Sequence, residues 1–519
     1  MQLPCPRLTK IVATVGPASR DREQLEKLIN AGVNIFRLNF SHAMHDILPQ
    51  VIGDIRDLSQ KLETPIAILG DLQGPKFRTG RFPDGQPIQL TPGQRVEMKA
   101  STDIGAPDCI TTPNSELIEA LSVNQMILLA DGTLSLRVIE KHSPGHVTCE
   151  VVNGGDLGER KGINIPGVRL NIPAMTEKDR EDALFVLQHG LDFVALSFVQ
   201  CHEDVLELRH FLQANENQLK KGHQLPSIVA KIERPTSLDD IDAIIDATDV
   251  IMVARGDLGV ELSPEKVPVV QKQLIQKANE AEKPVITATQ MMETMINEPV
   301  PTRAEVSDIV NAVFDGTDAV MLSGETAMGK YPVVCVETMA RIVQEAEQNL
   351  PADFGPQPDL VHHTGGKYSQ GIRCSLAFHQ SIAQSAVIAG RSSTVSAVVV
   401  YSQSGSMARR ISKQKPRCAV IALTPDMNIQ RKMTLLWGVH PLVIRECLTT
   451  EQLLGEVETT LQEKHLLARN APIVFCAGET PLVGLSNTLR LYYLGESLHN
   501  KAIAAKQENS MSKQAIKQP

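Results

Sequence analysis

Short apolar runs rich in Val, Ile and Ala recur along the first two thirds of the chain, each bounded by Gly, Pro or charge. They fall at residues 11–16, 34–40, 65–72, 192–198, 227–233, 250–257, 284–290 and 319–323. Runs without polar–apolar alternation read as strands buried on both faces, as in a parallel sheet. Between them lie stretches of helical period, among them 22–31, 177–189 and 268–281. Eight strands alternating with helices predict a (β/α)₈ TIM barrel over residues 1–73 and 172–345.

One connection is too long for a strand-to-helix loop. Residues 74–171 are rich in Gly, Pro and Thr and carry short alternating segments at 95–99, 126–129, 134–139 and 146–152. That pattern predicts a small all-β domain inserted after the third strand, placed as a lid over the barrel mouth. Residues 346–370 are Pro/Gly-rich and aperiodic, the composition of a linker. A second α/β domain follows over 371–499, with strands at 397–401, 418–423, 440–444, 473–477 and 488–493. The polar tail 500–519 offers too little apolar surface to fold on its own.

Composition narrows the function. The chain has 519 residues, 42% hydrophobic, with a net charge of −9. An acidic chain with only 3% aromatic residues is a poor partner for nucleic acid. Nine scattered cysteines, never in a Cys-x-x-Cys pair, point to a reducing compartment. With no apolar run near the ~18 residues of a membrane helix and no secretory h-region, the expected location is the cytoplasm, away from membranes.

Chemistry gathers where the strands end. Lys231 and Glu233 are two apart and project to one side of their strand, with Asp257 at the end of the next. A lysine and two carboxylates there can hold a metal ion beside a phosphate, although a structural ion pair would look alike. Arg37, Asn39 and Ser41 share period-two spacing, Asp71 ends strand three, and Thr289, Ser323 and Glu325 end strands seven and eight. Singly these are turn or cap residues; converging on the C-terminal face of one barrel they mark an active site.

The motifs TKIVATVGPAS (9–19), NIFRLNFSH (34–42), GDLQGPKFRTG (70–80), KGINIPG (161–167), AKIERP (230–235), MVARGDLGVE (252–261) and ATQMMETM (288–295) follow in order. So do the run 301–332 and LLWGVHP (435–441). On these motifs the chain resembles the pyruvate kinases, and most closely the bacterial type with lysine at the potassium-linked position. The resemblance implies Mg²⁺-dependent phosphoryl transfer from phosphoenolpyruvate to ADP, giving pyruvate and ATP, in a homotetramer with a mobile lid. It implies that Glu233 and Asp257 bind Mg²⁺ (Mn²⁺ being an alternative ion), that Lys231 and Arg37 face the phosphoryl group, and that Gly256, Asp257 and Thr289 hold the substrate carboxylate. Asn39, His42, Arg78 and Lys161 fall on the nucleotide side. Asn39, Ser41, Asp71 and the Leu72 carbonyl match the monovalent-cation site. Ser323 and Glu325 offer a proton relay from a water near Thr289 to the enolate.

The residue types suit that reaction. Mg²⁺ takes one or two protein carboxylates and completes its shell with water and substrate oxygens. Phosphoryl transfer needs in-line positioning and positive charge around the equatorial oxygens. The residues alone would also serve a pyruvate-enolate lyase of the same barrel type, or a degenerate homologue that only senses metabolites. A lyase has no use for a lid carrying cations, and a degenerate chain would have lost Lys231, Glu233, Asp257 or Thr289, all present here.

Two local features add expectations. Potassium-dependent relatives carry Glu where this chain has Lys76, and Thr where it has Leu72. An ammonium about 4 Å from Asp71 would be worth roughly 4 kcal/mol at an effective dielectric near 20, so Lys76 is expected to replace K⁺ and leave a vestigial site. The loop holding Ser402, Ser404, Gly405 and Ser406 opens a helix, a setting that cradles phosphate, and the family places a phosphorylated effector there.

Overall fold

The computed structural model describes residues 7–41, 45–142, 145–168, 173–351, 354–355, 370–391, 394–447, 449–478 and 486–495. Eight strands close into a barrel: β1 (Lys10–Val15), β2 (Ile35–Asn39), β3 (Ala67–Asp71), β4 (Phe193–Leu196), β5 (Ser227–Ile232), β6 (Val250–Ala254), β7 (Val285–Ala288) and β8 (Ala319–Leu322). Each neighbours the next in sequence and β8 closes on β1. The strands are buried almost throughout, which is why they read as unbroken apolar runs. The inserted segment is mainly β rather than all-β, since Ser115–Ala120 forms a short helix that buries Leu117 and Ile118 in its core, and with the C-terminal α/β sheet it completes the predicted fold class.

By internal contacts the chain divides into two units, Met1–Phe36 with Gln50–Ile68 and Met291–Pro519, and Arg37–Pro49 with Leu69–Gln290. In the first, the barrel seam pairs β1 with β8 in parallel register, Lys10 opposite Ala319 and Ala13 opposite Leu322. Side chains stitch the seam: Thr14 Oγ1 donates to the Leu322 carbonyl and Thr326 Oγ1 to the Thr14 carbonyl. The C-terminal sheet runs β9 (Ala397–Tyr401), β10 (Ala419–Thr424), β11 (Val439–Val443), β12 (Pro472–Gly478) and β13 (Ser486–Tyr493). Its spatial order is β11-β10-β9-β12-β13, with only the β12–β13 pair antiparallel. Both faces of that sheet carry a packed apolar cluster. Asp318, just before β8, is fully buried and meets the ammonium groups of both Lys413 and Lys415.

In the second unit β3 to β7 pair in parallel, with Leu69 opposite Phe193, Val229 opposite Val250 and Ile251 opposite Val285. The inserted segment forms a six-stranded sheet and a two-stranded ribbon around a core that includes Val96, Met98, Ile127, Leu136 and Val147. Its strand Arg95–Ala100 alternates buried Val96 and Met98 with more accessible neighbours, the pattern of a sheet packed on one face.

The structure moves several predicted boundaries. The run 250–257 is not strand to its end: β6 stops at Ala254 and helix α2 (Arg255–Glu261) begins at once, because Gly256 and the following N–H groups turn into a first helical turn. (Helix α1 is Glu177–His189, at the predicted position.) The helix Pro332–Gln348 takes residues 346–348 from the expected linker. Residues 356–369 of that linker, and the tail 500–519, lie outside the described residues.

Candidate functional site

Arg37, Asp71, Lys231 and Glu233 form one buried ion cluster in the second unit. The Arg37 Nε donates to Asp71 Oδ2 at 2.6 Å. Lys231 Nζ lies 2.9 Å from Glu233 Oε1 and 3.2 Å from Asp71 Oδ1. It also donates to Ser197 Oγ at 2.7 Å, and Ser197 Oγ in turn donates to the Leu72 carbonyl at 2.7 Å. The Phe198 amide donates to Glu233 Oε2 at 2.7 Å. Lys231 and Glu233 do share one side, as their spacing predicts.

The charges of this cluster are out of balance. Burial opposes the Lys231 charge, but Asp71 and then Glu233 overcome it and hold the ammonium above the ordinary lysine range. Burial also opposes the Asp71 charge, yet Lys231 and Arg37 keep its carboxyl below the usual value. Burial, and then the nearby Asp257 carboxylate, push Glu233 up against the pull of Lys231. Two cations thus face three carboxylates, and the surplus negative charge falls on Glu233 and Asp257. Asp257 makes no ion pair among the described residues. An oxygen-only donor set with excess negative charge fits a hard divalent cation such as Mg²⁺.

Asp257 reaches the cluster from the first turn of α2 rather than from a strand. The Gly256 amide donates to Thr289 Oγ1 at 2.7 Å. Thr289 sits at φ 67° and Gln290 at φ 53°, a region that a β-branched residue rarely occupies. Arg255 holds them there: its Nη2 donates to the Thr289 carbonyl at 2.6 Å and its Nε to the Ala288 carbonyl at 3.3 Å. The result is a turn of amides and a hydroxyl beside the ion cluster, chemically suited to a carboxylate.

Among the residues expected on a nucleotide side, Arg78 pairs with Gly162 across the inserted segment and its Nη1 donates to the Arg160 carbonyl at 3.0 Å. The Thr79 amide donates to the Lys161 carbonyl at 2.8 Å. Asn39 Oδ1 accepts from the Ser41 amide at 3.1 Å. His42 lies outside the described residues. Lys76 does not pair with Asp71: a Cβ on Gly162 would lie 3.8 Å from its Cε, and it makes no ion pair among the described residues. Asp71 is already paired by Arg37 and Lys231, which removes the electrostatic pull expected to draw Lys76 inward.

In the first unit, Glu325 is buried with Oε1 accepting from the Met292 amide at 3.1 Å and Oε2 from the Ser323 amide at 2.6 Å. Ser323 Oγ is buried with no hydrogen-bond partner among the described residues, so it can hold a water. Ser402, Ser404 and Gly405 lead into helix α3 (Ser406–Lys413), whose N-cap residue is Gly405 and so brings no capping side chain of its own. Gly405 takes φ 74°, and a Cβ there would come within 3.1 Å of Met433 Cγ. A cleft of about 750 Å³ lined by Lys10, His440 and Lys464 lies in the same unit.

Ser197, Phe198 and the clamp made by Arg255 were not foreseen. Ser197 and Phe198 follow directly on β4, so the rule that picked out the residues at the other strand ends, uncharged Thr289 and Ser323 among them, reaches them too.

Comparison with known proteins bears on the same residues. Residues 6–336 match the family described as pyruvate kinase, barrel domain, and residues 380–492 match pyruvate kinase, alpha/beta domain. The pyruvate kinase of Staphylococcus aureus strain MRSA252 is 41% identical over 498 residues, spanning 95% of this chain and 82% of that protein. That of strain NCTC 8325 gives the same figures. A crystal structure of a pyruvate kinase from Cryptosporidium parvum superposes with a TM-score of 0.85 at 33% identity, covering 94% of this chain and 96% of that one.

Proposed function

We propose a division of labour among the residues of this chain, which belongs to the pyruvate kinase family. It is a phosphotransferase of glycolysis, moving a phosphoryl group from phosphoenolpyruvate to ADP to give pyruvate and ATP. The family uses Mg²⁺ and generally K⁺, and is usually tetrameric.

Glu233 and Asp257 hold the protein-bound Mg²⁺; the observation that carries this is that Lys231 and Arg37 both pair with Asp71, which leaves Glu233 sharing Lys231 and Asp257 without an ion pair among the described residues. Bound there, the ion would neutralise charge on the phosphoryl and enol oxygens. Lys231 and Arg37 set positive charge against the equatorial oxygens of the phosphoryl group in transfer. Lys231 acts as a point charge already fixed by Ser197, and Arg37 as a planar fork fixed by Asp71. The Gly256 and Asp257 amides and the Thr289 hydroxyl orient the substrate carboxylate. Arg78 and Lys161, with Asn39 and His42, receive the nucleotide. Ser323 holds a water for protonating the enolate, with Glu325 fixing the turn that carries it.

Lys76 adds positive charge on the nucleotide side and, with Asp71 already neutralised, leaves K⁺ dispensable. The start of α3, with Ser402, Ser404 and Ser406, takes a phosphorylated effector. The exposed edge strand β13, with Leu491 and Tyr493 each 60% exposed, suits assembly into a homotetramer. The chain works in the cytoplasm; no described helix is long and apolar enough to cross a membrane.

The test is direct. Purified protein with Mg²⁺, ADP and phosphoenolpyruvate forms ATP and pyruvate, and Lys231→Met lowers turnover by several orders of magnitude while phosphoenolpyruvate still binds. Unchanged turnover in that variant removes Lys231 from its role.

A further inference from the structure

We propose that Asp179 is the pivot of the inserted segment, a positioning residue that ties both of its chain crossings to one point on the barrel. Asp179 is the third residue of α1 and fully buried. Its Oδ2 accepts from the Thr176 amide at 2.9 Å and the Thr176 hydroxyl at 2.6 Å, on the chain returning from the inserted segment. Its Oδ1 accepts from the Gly74 amide at 3.0 Å, on the chain entering that segment. A helix cap needs only the Thr176 bonds. The bond to Gly74 joins residues 105 apart and does nothing for the helix.

The pivot rests on the residues that hold the catalytic pair. Gly74 takes φ 70°, and a Cβ there would come within 2.9 Å of both Ser197 Cβ and Phe198 Cδ2. Ser197 Oγ accepts from Lys231, and the Phe198 amide donates to Glu233. Phe198 itself sits at φ 56°, a strained position for a bulky residue. Four residues beyond Gly74 comes Arg78. At the far edge of the inserted segment, Asn164 Nδ2 donates to Glu261 Oε1 at 3.3 Å, at the end of the helix that opens with Gly256 and Asp257. The same helix as Asp179 also reaches the loop after β2, where Lys178 Nζ donates to the Phe40 carbonyl at 2.9 Å. One buried carboxylate therefore registers the nucleotide-side cations of the inserted segment against Lys231 and Glu233.

The proposal rests on the reaction assigned above, and its test separates the two. In the full-length protein, Asp179→Asn keeps the shape but leaves one neutral amide oxygen to serve Gly74 and Thr176, which weakens the bond to Gly74, while Asp179→Ala removes all three bonds. Hydrogen exchange at the Gly74 amide should speed up in both variants, more in Ala. Turnover for ATP formation should fall roughly 10- to 100-fold, the scale of an ångström of misplacement. Exchange of the pyruvate methyl protons with solvent deuterium reverses enolate protonation and uses the barrel residues without a nucleotide. It should stay within about twofold of wild type. Equal loss of both reactions would make Asp179 merely structural and overturn the proposal, as would unchanged Gly74 exchange or unchanged ATP formation. If Asp179→Ala fails to fold by circular dichroism, Asp179→Asn carries the test alone. A wild type that makes no ATP would instead sink the assigned reaction, and Gly74 exchange would still judge the pivot.

Discussion

The Gly256 amide donates to the Thr289 hydroxyl across 2.7 Å, so a left-handed threonine and a helix-opening glycine share one bond at the mouth of the barrel. Thr289→Val removes the hydroxyl proposed to meet the substrate carboxylate, and a polar group left unpaired in such a site costs about 1–3 kcal/mol. The expected result is a rise of about tenfold or more in the KM for phosphoenolpyruvate, with Thr289→Ser close to wild type. Steady-state kinetics at saturating ADP decide it; a wild-type KM in Thr289→Val would take the hydroxyl out of the carboxylate site.

Glu233→Gln and Asp257→Asn each remove one carboxylate from the pair on which the surplus charge falls. Both variants should fold, and both should need at least about tenfold more Mg²⁺ for half-maximal rate, since even groups behind the ligands matter by 10–100-fold. A metal titration of activity reads this out. Wild-type metal dependence in both variants would rule out the assignment.

Lys76 stands against Gly162 rather than Asp71, and Asp71 already has two cationic partners. We expect near-full activity when Na⁺ and K⁺ are replaced by tetramethylammonium, and a gain of K⁺ dependence in Lys76→Glu, which places a carboxylate near the nucleotide phosphates. An enzyme that stays nearly inactive until K⁺ is added would refute this.

Ser404 Oγ donates to Ser406 Oγ at 3.0 Å where α3 begins. Ser404→Glu brings negative charge to the amides that would take a phosphate. Activation by a panel of sugar bisphosphates, sugar monophosphates and nucleotides should disappear, measured beside turnover without effector. Activation retained at wild-type strength would move the effector site elsewhere.

His440 gives a pH dependence. Burial first, and then Lys10 and Lys464, depress its pKa from 6.5 to about 4. The unfolded chain therefore takes up a proton as pH drops below about 6.5, while the native ring stays neutral until about 4. Native stability falls as pH falls through that window. His440→Gln should shrink the drop in melting temperature between pH 6.5 and 4.5. An unchanged drop would mean the ring is protonated in the native state.

The sequence was most legible where burial is two-sided. β9 and the helices Arg22–Ala31 and Glu177–His189 fall at their predicted limits, because an unbroken apolar run or a capped amphipathic helix leaves few alternatives. It was less legible where a strand turns directly into a helix. Ala254 and Arg255 differ in state although 250–257 looks like one run, since tertiary hydrogen bonds from Arg255 decide the turn. Charged residues announced the ion cluster. Its balance could not be read, because it depends on which cation reaches Asp71, and distance rather than sequence spacing made that Arg37 and Lys231.

The seam of the barrel has a consequence for how the chain is made. β1 finds its partner β8 only across the Lys10–Ala319 register, some 300 residues further on. At roughly 5–20 residues per second, a nascent chain exposes an apolar strand edge for about 15–60 s before its mate leaves the ribosome. Closure is then the latest and most non-local event of barrel formation, the kind that slows folding and invites aggregation. Thr14, bonded to both Leu322 and Thr326, marks the place where that wait ends.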